Sequence, residues 1–178
     1  MRSDIFPDSD SQRRMKGFFT KEERIAYGLK YEPVVLPIIS KTLSDEIIKT
    51  DYCFSLMDFQ GKETWSELKV RSSDYSHTDK CMKEGWLIPA GKMMWGCHKV
   101  SEGFDVWFFY LWERDGSLWA YKFNPEDTTR FKIGVPDNHA DNQLHYWIPE
   151  EEWDCVANLD LSKSDLQKRN KCLIEDDD

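Results

Sequence analysis

The run DVWFFYLWERDGSLWAYKF, residues 105–123, constrains the fold more than any other part of the chain. Two stretches rich in Trp, Phe and Tyr meet at Asp115-Gly116, a dipeptide that favours a tight reversal between antiparallel strands. Aromatic side chains suit a pleated, half-buried surface. The run therefore predicts a hairpin whose Trp and Tyr residues supply core and sheet surface. With 8 Trp and 14% aromatic residues, a chain of 178 residues holds enough large apolar side chain to fill one core. That length suits one domain.

Around this hairpin the pattern is mixed. TKEERIAYGLKYEPVVLPIISKTL, residues 20–43, has helical spacing at Ile25, Leu29, Val35, Leu36 and Ile39. Thr20 and Glu23 form a capping-box pair. Pro33 and Pro37 predict a kink, or a second short helix that begins at Pro33. Residues 72–99 read as partly helical, HYWIPEEEW as one more short strand, and SKSDLQKRNKCL as a closing helix capped by Ser162 or Ser164. The expected organisation is a polar arm over residues 1–18, one domain over 19–174 and an acidic tail over 175–178.

Several classes are disfavoured. The five cysteines are odd in number and form no CxxC pair, and the four histidines are scattered, which argues against a disulfide framework or a zinc knuckle. No apolar run approaches membrane-span length, so the expectation is a soluble, intracellular protein without membrane contact. A net charge of −9 argues against tight non-specific DNA binding. It does not argue against a metal-dependent enzyme, whose site needs carboxylates.

The stretch DYCFSLMDFQGKETWSELKVRSS, residues 51–73, carries the chemistry. Asp58-Phe59-Gln60-Gly61 fits a type I turn closed by a Gly bulge at Lys62. That turn sets Asp58 opposite Lys62, Leu56 opposite Thr64, Cys53 opposite Glu67 and Asp51 opposite Lys69. Strand alternation then sorts Ser66, Leu68 and Val70 onto an apolar side and Trp65, Glu67, Lys69 and Arg71 onto the other, with Asp51. In this register Asp58 serves only the turn. Two carboxylates side by side repel unless a cation lies between them, and oxygen ligands suit Mg²⁺ or Mn²⁺.

An Asp at a strand start, a hairpin, then Glu-x-Lys on the next strand resembles the PD-(D/E)XK, or restriction-endonuclease-like, nucleases. The matching residues are Asp51 and the ELK of Glu67-Leu68-Lys69, and the resemblance spans about residues 20–125. It is nearest to the small nuclease-like proteins of phages and large DNA viruses. It implies an α/β fold with an αβββαβ core, a central mixed sheet flanked by helices. It also implies a Mg²⁺- or Mn²⁺-dependent phosphodiesterase acting on DNA. Asp51 and Glu67 would hold the ion and Lys69 would assist the attacking water. Glu32, or less well Glu23, would add an acid from the preceding helix. Arg71 and Lys92, the latter from GWLIPAGKMMWG, would contact substrate. The chain departs from the pattern where Thr50 precedes Asp51 and where Pro89 and Gly91 fall in the second-helix segment. A homodimer stays open.

The bland alternatives stand beside this. Glu-x-Lys on a strand is most often a solvated face, and Glu32 suits the first turn of any helix. Exposed aromatics of residues 107–121 would otherwise stack bases or sugars. The competing function is a non-catalytic nuclease-fold or aromatic-rich adaptor that binds protein or nucleic acid.

Overall fold

β5 (Asp105–Trp112) and β6 (Ser117–Lys122) form the expected hairpin, paired from Trp107↔Lys122 to Trp112↔Ser117. The chain reverses at Gly116 with φ +71, where a Cβ would meet the Leu159 carbonyl oxygen at 2.0 Å. Only glycine fits there. The computed structural model describes residues 29–50, 56–71, 85–136 and 143–161.

β3 (Thr64–Arg71) pairs with the other side of β5, in parallel, from Thr64↔Asp105 to Arg71↔Trp112. β2 (Phe59–Gln60) and β1 (Ile48–Lys49) extend the sheet antiparallel beyond β3. β9 (Asp154–Asn158) closes the opposite edge, giving a six-stranded sheet in the order β1-β2-β3-β5-β6-β9. A parallel join needs a long crossover. It contains β4 (Trp86–Pro89) followed directly by α2 (Ala90–Ser101). The α/β class with a central mixed sheet is therefore as expected.

Each face of the sheet is covered. α1 (Glu32–Leu43) lays Val35 and Ile39 on one face, with Tyr31, Phe59, Leu68, Phe109, Leu111 and Leu118. The helix runs through Pro37, whose side is exposed, and Pro33 falls in the first turn where its missing N–H costs nothing. The helix thus begins one residue before Pro33, close to the second of the two expectations, and Pro37 does not break it. The other face packs Val106, Phe108, Tyr110 and Trp112 against α2 and against a small sheet. That sheet orders β4 beside β8 (His145–Ile148) and β7 (Ile133–Gly134). The short helix α3 (Asp127–Arg130) leads into β7. Gly96 lets α2 approach closely, because a Cβ there would meet the Phe123 ring at 2.9 Å.

The turn expected at residues 58–61 does not form. Phe59 and Gln60 are strand, paired Phe59↔Ser66 and Gln60↔Trp65, and Phe59 is fully buried in the α1-side core. A turn there would expose that ring. The reversal lies further on, where the Gly61 N–H donates to the Thr64 carbonyl at 2.8 Å. Asp45, from beyond α1, fixes it. Its carboxylate accepts from the Lys62 and Glu63 N–H groups at 3.1 Å and from the Thr64 hydroxyl at 2.8 Å.

The Thr20–Glu23 capping box, the closing helix at Ser162 or Ser164, the arm over residues 1–18 and the acidic tail lie outside the described residues. No described helix is long and apolar enough to cross a membrane.

Candidate functional site

The observed β2–β3 register changes which acid meets Glu67. Extending the pairs Phe59↔Ser66 and Gln60↔Trp65 by one residue sets Asp58 directly across from Glu67. Asp58 also accepts the Leu68 N–H at 2.9 Å through Oδ2, which pins its carboxyl beside β3. The expectation that Asp58 serves only the turn and faces Lys62 is thus corrected. Asp51 lies outside the described residues, as does Cys53. The sorting of β3 holds: Leu68 and Val70 face α1, while Trp65 packs with the α2-side core and Glu67 meets a side chain of α2.

Glu67 sits in apolar surroundings. Its parallel partner on β5 is Phe108, with Tyr110 two residues on. Burial, and then the Asp58 charge, push its carboxyl up from 4.5 to about 8, against the pull of Lys92. Lys92 Nζ makes an ion pair with Glu67 Oε1. Glu67 Oε2 is buried with no hydrogen-bond donor, although the carboxyl lies within hydrogen-bonding reach of Asp58. Both groups are acceptors once ionised, so they repel each other, and a shared proton or a cation between them relieves that repulsion.

Lys92 reaches the site because Pro89 and Gly91 do not disturb the helix. Pro89 ends β4 and stands just before the first residue of α2, with extended backbone (ψ 134), so the helix is regular from Ala90. Lys92 falls in its first turn and projects to β3.

Glu32, in the first turn of α1, is nearly buried and pairs with Lys49 Nζ at 2.6 Å. Burial raises its carboxyl above the ordinary range; Lys49 opposes this and the Asp58 charge adds to it. The Asp58 charge therefore reaches Glu32 as a repulsion, and the ion-pair partner of Glu32 is Lys49. Glu23 lies outside the described residues. Lys69 shares the Glu67 side of β3 and is half-buried beside Tyr110, its partner in register. Arg71, two residues further, donates from Nη2 to the Tyr110 hydroxyl at 3.3 Å, and that hydroxyl donates to the Leu87 carbonyl at 2.8 Å. The Arg71 Nε–H is buried without an acceptor.

Among the described residues no group of three His, Cys, Asp or Glu side chains is gathered closely enough to cage a metal ion. The donor set is a pair, Asp58 and Glu67. It fits Mg²⁺, which is commonly held by one or two carboxylates and keeps several waters. The orphaned Glu67 Oε2 is the observation that supports the fit.

Asp58 was the residue sequence reasoning missed. Its signal was present: Asp58 precedes Glu67-Leu68-Lys69 by nine positions, and the apolar Phe59 after it belongs in a strand rather than a turn. The chain matches no protein-family model, no curated protein and no solved structure.

Proposed function

We propose that the protein is a metal-dependent phosphodiesterase that hydrolyses DNA, with a restriction-endonuclease-like αβββαβ core. The observation that carries the reading is the Asp58–Glu67 pair across the β2–β3 hairpin, with Lys69 two residues on along the same side. The element order supports it: helix, three antiparallel strands, a crossover helix, then a strand parallel to β3. Asp58 takes the role first assigned to Asp51.

Asp58 and Glu67 would hold Mg²⁺ or Mn²⁺, with Glu32 behind Asp58. When bound, such an ion lowers the pKa of its water and offsets charge on the attacked phosphate. Lys69 presents an ammonium that donates to the attacking water and orients it. Lys92 and Arg71 offer cationic donors to the phosphates of the substrate strand. The apolar surround of Phe108 and Tyr110 limits water at the pair and strengthens each of these charge interactions.

A second reading has its own support. The Glu67–Lys92 ion pair already gives Glu67 a counterion, as in a non-catalytic nuclease-fold module that binds protein or nucleic acid. Incubation with linear, circular and single-stranded DNA separates the two, using Mg²⁺, Mn²⁺ or chelator. The nuclease reading expects cleavage with metal, none with chelator, and loss in Asp58→Asn, Glu67→Gln and Lys69→Ala. No cleavage of any substrate by the wild type, or cleavage that survives all three substitutions, removes it.

A further inference from the structure

The Lys99 ammonium, near the C-terminal end of α2, lies among three rings. It is 5.2 Å from the Trp65 ring centre, 5.1 Å from Trp95 and 5.8 Å from Phe104. The rings meet edge to face, Trp65 with Trp95 at 4.9 Å and Trp65 with Phe104 at 6.3 Å. Glu102 Oε2 takes another donor of the same ammonium at 2.6 Å, and the Lys99 side chain is 19% exposed. Attraction between a cation and ring faces grows as water is excluded.

This cage shares an alignment with the acid pair. Lys92 and Lys99 are seven residues apart, two helical turns, and so lie on one side of α2, about 10 Å apart along its axis. Trp65 and Glu67 are alternate residues on one side of β3, about 7 Å apart. Lys92 meets Glu67 and Lys99 meets Trp65, so α2 runs back along β3 with an ammonium contact at each end. The apolar packing beneath α2, through Met93 and Gly96, fixes how closely the helix lies on the sheet, a Cβ at Gly96 meeting the Phe123 ring at 2.9 Å. The cage adds a directional contact to its height along β3.

We propose that Lys99 is a positioning residue: held by Trp65, Trp95 and Phe104, it sets the height of α2 along β3 and so delivers the Lys92 ammonium to Glu67. Its consequence for cleavage rests on the nuclease reading above; its effect on Lys92 does not.

The test follows the nitrogen–proton NMR signal of the Lys92 ammonium, visible when an ion pair slows its proton exchange, in the full chain without metal or DNA. Lys99→Met should lose that signal. Lys99→Arg should keep it, because a guanidinium also stacks on ring faces. Phe104→Leu, which removes one ring, should weaken it. An unchanged Lys92 signal in Lys99→Met overturns the proposal, and so does its loss in Lys99→Arg as well. If Lys99→Met fails to fold, an unchanged signal in Phe104→Leu overturns it. In cleavage assays Lys99→Met should lower turnover at saturating DNA and add nothing in a Lys92→Met background; an additive loss contradicts action through Lys92. A wild type that cleaves nothing removes the nuclease reading and leaves the NMR result to decide this one.

Discussion

Asp58 and Glu67 face each other across the β2–β3 hairpin, two carboxyl groups within hydrogen-bonding reach, and Oε2 of Glu67 is buried without a donor. Such a pair is unfavourable when both are ionised, and its behaviour with pH, metal and substitution follows from that.

Stability should depend on pH through Glu67. Its carboxyl is pushed up to about 8 in the fold from an ordinary 4.5, by burial first and the Asp58 charge second. The folded state then holds this proton more tightly than the unfolded chain. The resulting stability is fully present below the unfolded value and is lost as the pH rises through the folded one, with a slope of at most about 1.4 kcal/mol per pH unit. Denaturant unfolding across that window should show the wild type losing stability while Glu67→Gln stays flatter. Parallel curves contradict this.

Asp58→Asn removes a charge from beside Glu67 but keeps an oxygen to accept the Leu68 N–H. The fold should survive, while stabilisation by Mn²⁺ disappears. Wild-type protein at a metal concentration about 100 times the dissociation constant should gain about 2.7 kcal/mol. Thermal melts with and without Mn²⁺ check both. A metal-dependent gain retained in Asp58→Asn shows that the ion binds elsewhere.

Lys69→Ala leaves both acids in place and removes the group assigned to the attacking water. Metal affinity should change little, while the cleavage rate falls by about 10²–10⁴-fold, the usual weight of one acid–base group. Binding titration and single-turnover cleavage on the same preparation separate the two effects. Loss of metal binding in this variant would place Lys69 in the ligand shell's support rather than in the chemistry.

Asp45→Ala should loosen the β2–β3 reversal. Burial opposes ionisation of this carboxyl, but hydrogen bonds from the Glu63 N–H, the Thr64 hydroxyl and the Lys62 N–H hold it below its ordinary 3.8. Its contribution is present above that value and fades as the pH falls through the depressed one. The loss at neutral pH should be about 1 kcal/mol, since the bonds are largely exposed. Amide exchange at Lys62 and Glu63 should quicken; unchanged exchange contradicts the role.

The parts of the fold that were legible are those decided locally. The hairpin at Gly116 follows from a turn dipeptide between aromatic runs, and the two sides of β3 follow from strict alternation. The β2–β3 register was not legible, because Asp45, 17 residues before Lys62, holds the loop while burial of Phe59 decides which residues are strand. The small sheet was missed for a similar reason: β4 pairs with β8 across a gap of about 60 residues. Of the residues singled out by local pattern and resemblance, the fold brings Glu67 and Lys92 together, while Glu32 pairs with Lys49. Asp58 was misassigned, since turn chemistry at residues 58–61 was satisfied on paper by residues that tertiary packing uses otherwise.

A crystal soaked in Mn²⁺ and measured at the manganese absorption edge tests the central claim most directly. The account predicts an anomalous peak bonded to the carboxyl oxygens of Asp58 and Glu67, with Lys92 withdrawn from Glu67. No peak there at saturating Mn²⁺, with Lys92 still paired to Glu67, would contradict it.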